Sequence, residues 1–178
     1  MDKLSRYTNF YFQYKEKQYN VKKIIISCSD EPGEGEHKLY SHIRNNNVES
    51  SNIAIYGLDA DLIMLSIFHL KYCKDIYVFR EAPEFLKNSI PLDVKEHSNE
   101  PYFLDIHCFS LSILTEMNCS NNDLSRIDDY VFMCFLLGND FLPHFPSMNI
   151  RTHGISVLLD IYKKYISNSM NRYLISPY

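Results

Sequence analysis

From Val21 to Ser27 the chain runs through two lysines into three consecutive isoleucines, a β-branched run that predicts a buried strand over 21–27. Pro32-Gly33 interrupts it, and the period then changes. Glu36, Tyr40 and Ile43 recur at i, i+4 and i+7, which predicts a helix over 34–45 with Glu36 at the head of its inward stripe. Glu34, two residues earlier, cannot share that face and is expected to project from the turn. The same sequence of events repeats. NIAIYG (52–57) predicts a second strand, and a helix follows over about 60–70, with Asp61, Leu65 and Phe68 on one stripe and Asp59 in the turn before it.

DIYVF (75–79) predicts a third strand. Residues 81–101 contain Pro83, Pro91 and Pro101 among many polar positions and read as a long loop. FLDIHCFSLSILTEM (103–117) predicts a short strand or turn entering a helix, broken by CSNND at 119–123. DDYVFMCFLL (128–137) is apolar nearly all round, which predicts a buried helix stopped by Gly138. GISVLLDIYKKYI (154–166) predicts a last amphipathic helix, and the polar tail 167–178 is expected to fray. Alternating strands and helices predict an α/β fold, a mainly parallel sheet flanked by helices, in a single domain over 1–178. Ligands of such sheets collect beyond the carboxyl ends of the strands. The pairs Glu34/Glu36 and Asp59/Asp61 are therefore expected to meet at one rim.

Composition narrows the reading. No apolar run approaches the length of a membrane span, and MDKLSRYTNFYF lacks the h-region of a signal peptide, so no membrane partner is expected. The five cysteines are odd in number, scattered and never spaced CxxC, which argues for free thiols in a reducing compartment and against a zinc site. Cytoplasmic residence is the expectation, with the nucleus as the alternative. The net charge of -4 is unusual for a nucleic-acid binder; the nearest basic cluster is Lys15, Lys17, Lys22 and Lys23.

Candidate chemistry lies in five carboxylates, Glu34, Glu36, Asp59, Asp61 and Asp140, each placed where an element ends and a turn begins. One acidic pair near a helix start is commonly just a dipole partner. Two pairs together with the GND of 138–140 point instead to a cage for a hard divalent cation, which takes oxygen ligands and leaves positions for water and phosphate. In YGLDADLIML (56–65) the aspartates interrupt an otherwise apolar pattern, and buried charge requires compensation. Asp30, Glu31, Asp128 and Asp129 have no such context and read as turn or cap residues. His37 and His144 read as structural or substrate-contacting, Lys38 as a contact to phosphate or to a carboxylate, and Arg80-Glu81 as an ion pair.

PGEGEHK at 32–38, YGLDADLIML at 56–65 and DDYVFMCFLLGNDFLPHFPS at 128–147 resemble, in order and spacing, the signature segments of the Xrn-type 5′→3′ exoribonucleases, a branch of the PIN-like 5′-nucleases. The resemblance implies a PIN-like fold and two-metal hydrolysis of RNA from a 5′-monophosphate end. It also implies that Glu34, Glu36, Asp59, Asp61 and Asp140 hold two Mg²⁺ or Mn²⁺ ions. Met1-Asp2-Lys3-Leu4 resembles an interior stretch of the family's catalytic domain. By that resemblance the chain is the domain's second half, and a missing N-terminal half would bring the first strand, two more acids and the 5′-phosphate pocket, in cis or in trans. Activity of the isolated chain is then doubtful. Two alternatives remain: a structure-specific DNA or flap nuclease, disfavoured because GNDFLPHFPS is not followed by a glycine-rich helical DNA-binding element, and a non-catalytic RNA-binding or interaction remnant.

Overall fold

The computed structural model describes residues 2–46, 48–57, 59, 61–79, 103–120, 123–139, 142–148, 153–169 and 172–175. They form two compact units, Met1–Asn47 and Val48–Tyr178.

The first unit contains helices α1 (Asp2–Phe12), α2 (Glu16–Tyr19) and α3 (Gly35–Asn45). Sequence periodicity did not single out α1. It carries Tyr7 and Tyr11 one turn apart with their rings stacked at 5.9 Å, and Lys15 reaches back over the Tyr11 ring at 4.6 Å. Asn20 ends α2 in the left-handed region (φ 53°), where a short polar side chain is tolerated, and Val21 N–H closes the turn onto the Glu16 carbonyl at 3.0 Å. Helix α3 matches its predicted bounds and stripe, burying Tyr40 and Ile43.

The predicted strand at 21–27 is a correction. These residues belong to no ladder, although exposure alternates along 24–28 as a strand's would. Three isoleucines favour an extended backbone, but a strand exists only when a second backbone takes up its hydrogen bonds, and none among the described residues does so.

The second unit is built on a three-stranded sheet in the order β1 (Asn52–Tyr56), β2 (Asp75–Phe79), β3 (Phe103–Asp105). β1 and β2 are parallel, from Asn52 opposite Asp75 to Tyr56 opposite Phe79, and β3 runs antiparallel to β2. A parallel pair requires a crossover, supplied here by α4 (Asp61–His69) and one 3₁₀ turn, Leu70–Tyr72. Ile55, Ile76 and Val78 point to the covered face and are at most 2% exposed. Burying each contributes about 1.5–3 kcal/mol.

Among the described residues, three helices complete this unit: α5 (Ile106–Glu116), α6 (Ser125–Leu136) and α7 (Gly154–Tyr165). Asp105 caps α5 by accepting from Cys108 N–H at 2.9 Å. Ile106, Leu114, Met117, Ile127, Val131 and Met133 join Leu62 and Ile67 of α4 in the core. On the sheet's other face a row of rings stays open. Tyr56 stacks on Phe79 at 5.3 Å and Phe79 lies 5.2 Å from Phe103, with Tyr56 and Phe103 exposed.

Three further expectations change. Helix α4 turns Leu62, Ser66 and His69 inward, one position away from the predicted Asp61–Leu65–Phe68 stripe, so Asp61 does not head the buried face. DLIMLSIFH is apolar on nearly every side, and periodicity alone cannot select a face there; His69 becomes compatible with burial by bonding the Leu65 carbonyl at 2.6 Å. Helix α6 starts at Ser125, ahead of the predicted 128, and leaves Phe132 and Phe135 exposed, so it is not buried all round. The tail does not simply fray, because residues 172–175 are tied to α6 by part-buried hydrogen bonds. The predicted loop 81–101 lies outside the described residues.

Candidate metal centre

Glu34 is the N-cap residue of α3, in an extended backbone conformation, with its carboxylate making no capping bond. Gly33 precedes it at φ +100°, a conformation that favours glycine, and the chain swings abruptly into the helix. The Glu34 carboxylate is over half exposed and lies 4.0 Å from His37 Nε2, one turn along. Glu36 sits in the first turn of α3 and is half-buried. The helix N-terminus adds partial positive charge near both acids, so two carboxylates are tolerated there without a buried cation. Lys38 pairs with neither carboxylate: its Nζ donates to the Cys28 carbonyl at 2.6 Å and straps the preceding turn to the helix. Among the described residues no strand precedes Glu34, so its predicted place just past a strand end is not observed.

The aspartate pair does follow a strand. β1 ends at Tyr56, Gly57 N–H continues the pairing onto the Phe79 carbonyl at 3.2 Å, and α4 opens at Asp61. A Cβ at Gly57 would fall 2.1 Å from Leu62 Cδ1 in the core, so a larger residue there must displace that side chain. Asp59 is exposed, and its Oδ1 accepts from Asp61 N–H at 3.4 Å. Asp61 is half-buried at the helix start. Both acids face a helix N-terminus, as in the other unit.

Asp140 lies outside the described residues, as do Arg80 and Glu81. The residues flanking Asp140 are held closely. Asn139 N–H donates to the Leu142 carbonyl at 2.9 Å, and Asn139 Oδ1 accepts from Leu142 N–H at 2.8 Å. Gly138 takes φ +85° after α6, as its predicted stop role requires, and a Cβ there would lie 2.7 Å from His144 N. His144 Nδ1 lies 3.1 Å from the Phe145 carbonyl, a local structural contact. Among the described residues, no three His, Cys, Asp or Glu side chains gather closely enough to hold a metal ion. The two acidic pairs belong to separate units.

Asp128 and Asp129 are not turn or cap residues. Asp128 lies within 4.0 Å of Lys71, and burial pushes its carboxyl above the usual range. Asp129 is fully buried. It accepts from the Tyr162 hydroxyl at 2.6 Å and from the backbone N–H groups of Leu174 and Ile175. Arg126, also buried, donates to Asp123, Tyr162 and the carbonyls of Ser169 and Arg172. This network missed by sequence reasoning is structural, and its only signal was an arginine and an aspartate one turn apart in an apolar helix.

Two family descriptions match the chain. Residues 1–82 match the "XRN 5′-3′ exonuclease N-terminus" and residues 121–177 match the "Xrn1 helical domain". Among similar proteins, the "5′-3′ exoribonuclease 2" of Debaryomyces hansenii is 32% identical, over 93% of this chain and 19% of the relative. That of Eremothecium gossypii is 33% identical, over 98% of this chain and 21% of the relative. The one from Arabidopsis thaliana is 34% identical, over 83% of this chain and 19% of the relative. The chain thus spans about one fifth of the length of these relatives. A mixed α/β sheet unit, acidic pairs at helix mouths and matched segments along both parts of the chain agree: it belongs to the Xrn family of 5′→3′ exoribonucleases.

Proposed function

We propose that this chain contributes most of a metal-dependent active site for hydrolysis of RNA from its 5′ end. The observation that carries the reading is the pairing of carboxylates at two helix mouths, with Glu34 and Asp59 exposed, in a chain of Xrn membership. The donor set fits a hard cation, since its five members are all carboxylates. Glu34, Glu36, Asp59, Asp61 and Asp140 would hold Mg²⁺ or Mn²⁺. When bound, two such ions supply a hydroxide nucleophile and stabilise the leaving oxygen. The chain's own part is to hold Glu34, Glu36, Asp59 and Asp61 at two helix starts, so that little reorganisation accompanies binding.

The substrate of this reading is RNA with a 5′ monophosphate, and the site is completed by the N-terminal half of an Xrn-type catalytic domain, in cis or in trans. The relatives are named 5′-3′ exoribonucleases, and they extend well beyond the length matched here. Five free cysteines suit a reducing compartment, and we place the protein in the cytoplasm.

A cleavage assay tests the proposal. The isolated chain should degrade 5′-labelled RNA weakly at most, and adding the N-terminal half should restore digestion of 5′-monophosphorylated RNA but not of triphosphorylated RNA. Cleavage from the 3′ end, or equal attack on circular RNA, would contradict it.

A further inference from the structure

We infer that Lys38 is a positioning residue for the acidic pair of α3: it fixes the loop from Cys28 to Gly33 against the helix, and so sets where Glu34 and Glu36 present their carboxylates. The inference rests on the metal reading proposed above and names the side chain that prepares one half of that site. Lys38 is bonded at both ends. Its backbone N–H donates to the Glu34 carbonyl at 3.0 Å, and its Nζ donates to the Cys28 carbonyl at 2.6 Å. Between these ends its stem crosses Gly33, where an added Cβ would lie 3.7 Å from Lys38 Cγ and 3.9 Å from Cε. The Cys28 carbonyl also accepts from Glu31 N–H at 3.2 Å, so one oxygen gathers both the turn and the strap.

The strap answers to what Glu34 does not do. An N-cap residue commonly fixes its own backbone by accepting a bond from the first helical turn, whereas the Glu34 side chain makes no capping bond. Its carboxylate is over half exposed and stays available to a cation. The glycine before it, at φ +100°, adds no stiffness of its own. Holding that junction falls to Lys38. A lysine is normally left mobile in water, because ordering its long side chain costs conformational entropy. Here it is half-buried and donates to a main-chain oxygen, although Glu34 and Glu36 precede it by only four and two residues. A lysine serving as their counter-charge would turn its ammonium to a carboxylate instead.

Mn²⁺ titration of the whole chain without RNA tests this, read from the electron paramagnetic resonance signal of free Mn²⁺. Each variant is titrated well below its melting temperature, so a loss of stability alone leaves the readout unmoved. Lys38→Met keeps the apolar stem over Gly33 and removes the donor. It should weaken Mn²⁺ binding at least about tenfold, a common loss when the support around a metal ligand is removed. Lys38→Gln, too short to reach Cys28, should do the same, and Lys38→Arg, which keeps a cationic donor, should retain most of the affinity. The sign is decisive, because removing a cation near two acids should by charge alone tighten the binding of a dication. A lysine that only touches phosphate would not weaken it either. Glu34→Gln marks the site itself and should weaken binding in the same titration. Unchanged or tighter binding by Lys38→Met beside a weakened Glu34→Gln overturns this inference and leaves the metal reading standing. So does a Lys38→Arg chain weakened as far as Lys38→Met. No Mn²⁺ binding by the wild type, or none lost in Glu34→Gln, overturns both.

Discussion

Arg126 and Asp129 lie one helical turn apart on α6, with Nη1 and Oδ2 4.0 Å from each other, and the Tyr162 hydroxyl of α7 bridges them. It accepts from Arg126 at 3.0 Å and donates to Asp129 at 2.6 Å. Both charges are nearly inaccessible, and the pair survives burial because almost every remaining donor and acceptor is engaged by Asp123 and by the backbone of Ser169, Arg172, Leu174 and Ile175.

Removing one charge of the pair should cost more than removing the hydroxyl that bridges it. Asp129→Ala strands a buried guanidinium and is expected to destabilise by about 3–5 kcal/mol. Tyr162→Phe removes two hydrogen bonds and should cost about 1–3 kcal/mol. Urea unfolding of both single mutants and the double mutant measures this, and additive losses would show that the three groups do not act as a unit.

Two glycines with positive φ should differ in tolerance. Gly138→Ala combines φ +85° with a backbone atom 2.7 Å from the new methyl group, whereas Gly33→Ala meets only ordinary contacts with Lys38. The left-handed conformation alone costs about 1–2 kcal/mol. Gly138→Ala should exceed that value and Gly33→Ala should not, as read from paired denaturation curves.

At the β1–α4 turn the obstruction is a side chain, so it can be relieved. Gly57→Ala should destabilise by about 1–3 kcal/mol through its clash with Leu62. Adding Leu62→Ala to Gly57→Ala should cost less than Leu62→Ala costs in the wild type. A strictly additive pair of thermal shifts would contradict the contact.

Asp128 supplies a pH signature. Burial is the largest cause of its raised pKa, Asp129 adds to it, and Lys71 opposes it. The native state therefore binds this proton more readily than the unfolded chain. Its contribution to stability is present below the ordinary aspartate pKa and is lost as pH rises through the raised native value. Asp128→Asn should flatten stability against pH just above the usual carboxylate range while leaving other regions unchanged, as followed by denaturant midpoints across that window.

The metal reading can be tested without activity. Asn at position 59 can still accept from Asp61 N–H through its amide oxygen, so Asp59→Asn should leave the metal-free melting temperature unchanged or higher. In Mn²⁺ the wild type should gain stability that the mutant lacks, about 2.7 kcal/mol at a hundredfold excess over Kd. Equal melting of both proteins with EDTA and with Mn²⁺ would remove Asp59 from any metal site.

The local elements were legible in the sequence wherever period and punctuation agreed. Tyr40 and Ile43 repeat at helical spacing behind Pro32-Gly33, and alternation within DIYVF announces which residues of β2 turn inward. The acidic pairs stood out as a candidate site because each carboxylate stands at an element boundary, a one-dimensional property. Three things needed the third dimension. Which side of α4 is buried depends on what packs against an almost uniformly apolar helix, and the answer was Leu62 rather than Asp61's stripe. The role of Asp129 depends on donors more than thirty residues later in the chain, which no local pattern announces. Residues 22–27 have the composition of a strand, yet strandedness belongs to two backbones at once. Side-chain sterics within one segment determine that it is extended, whereas only a neighbouring chain decides whether its hydrogen bonds are made.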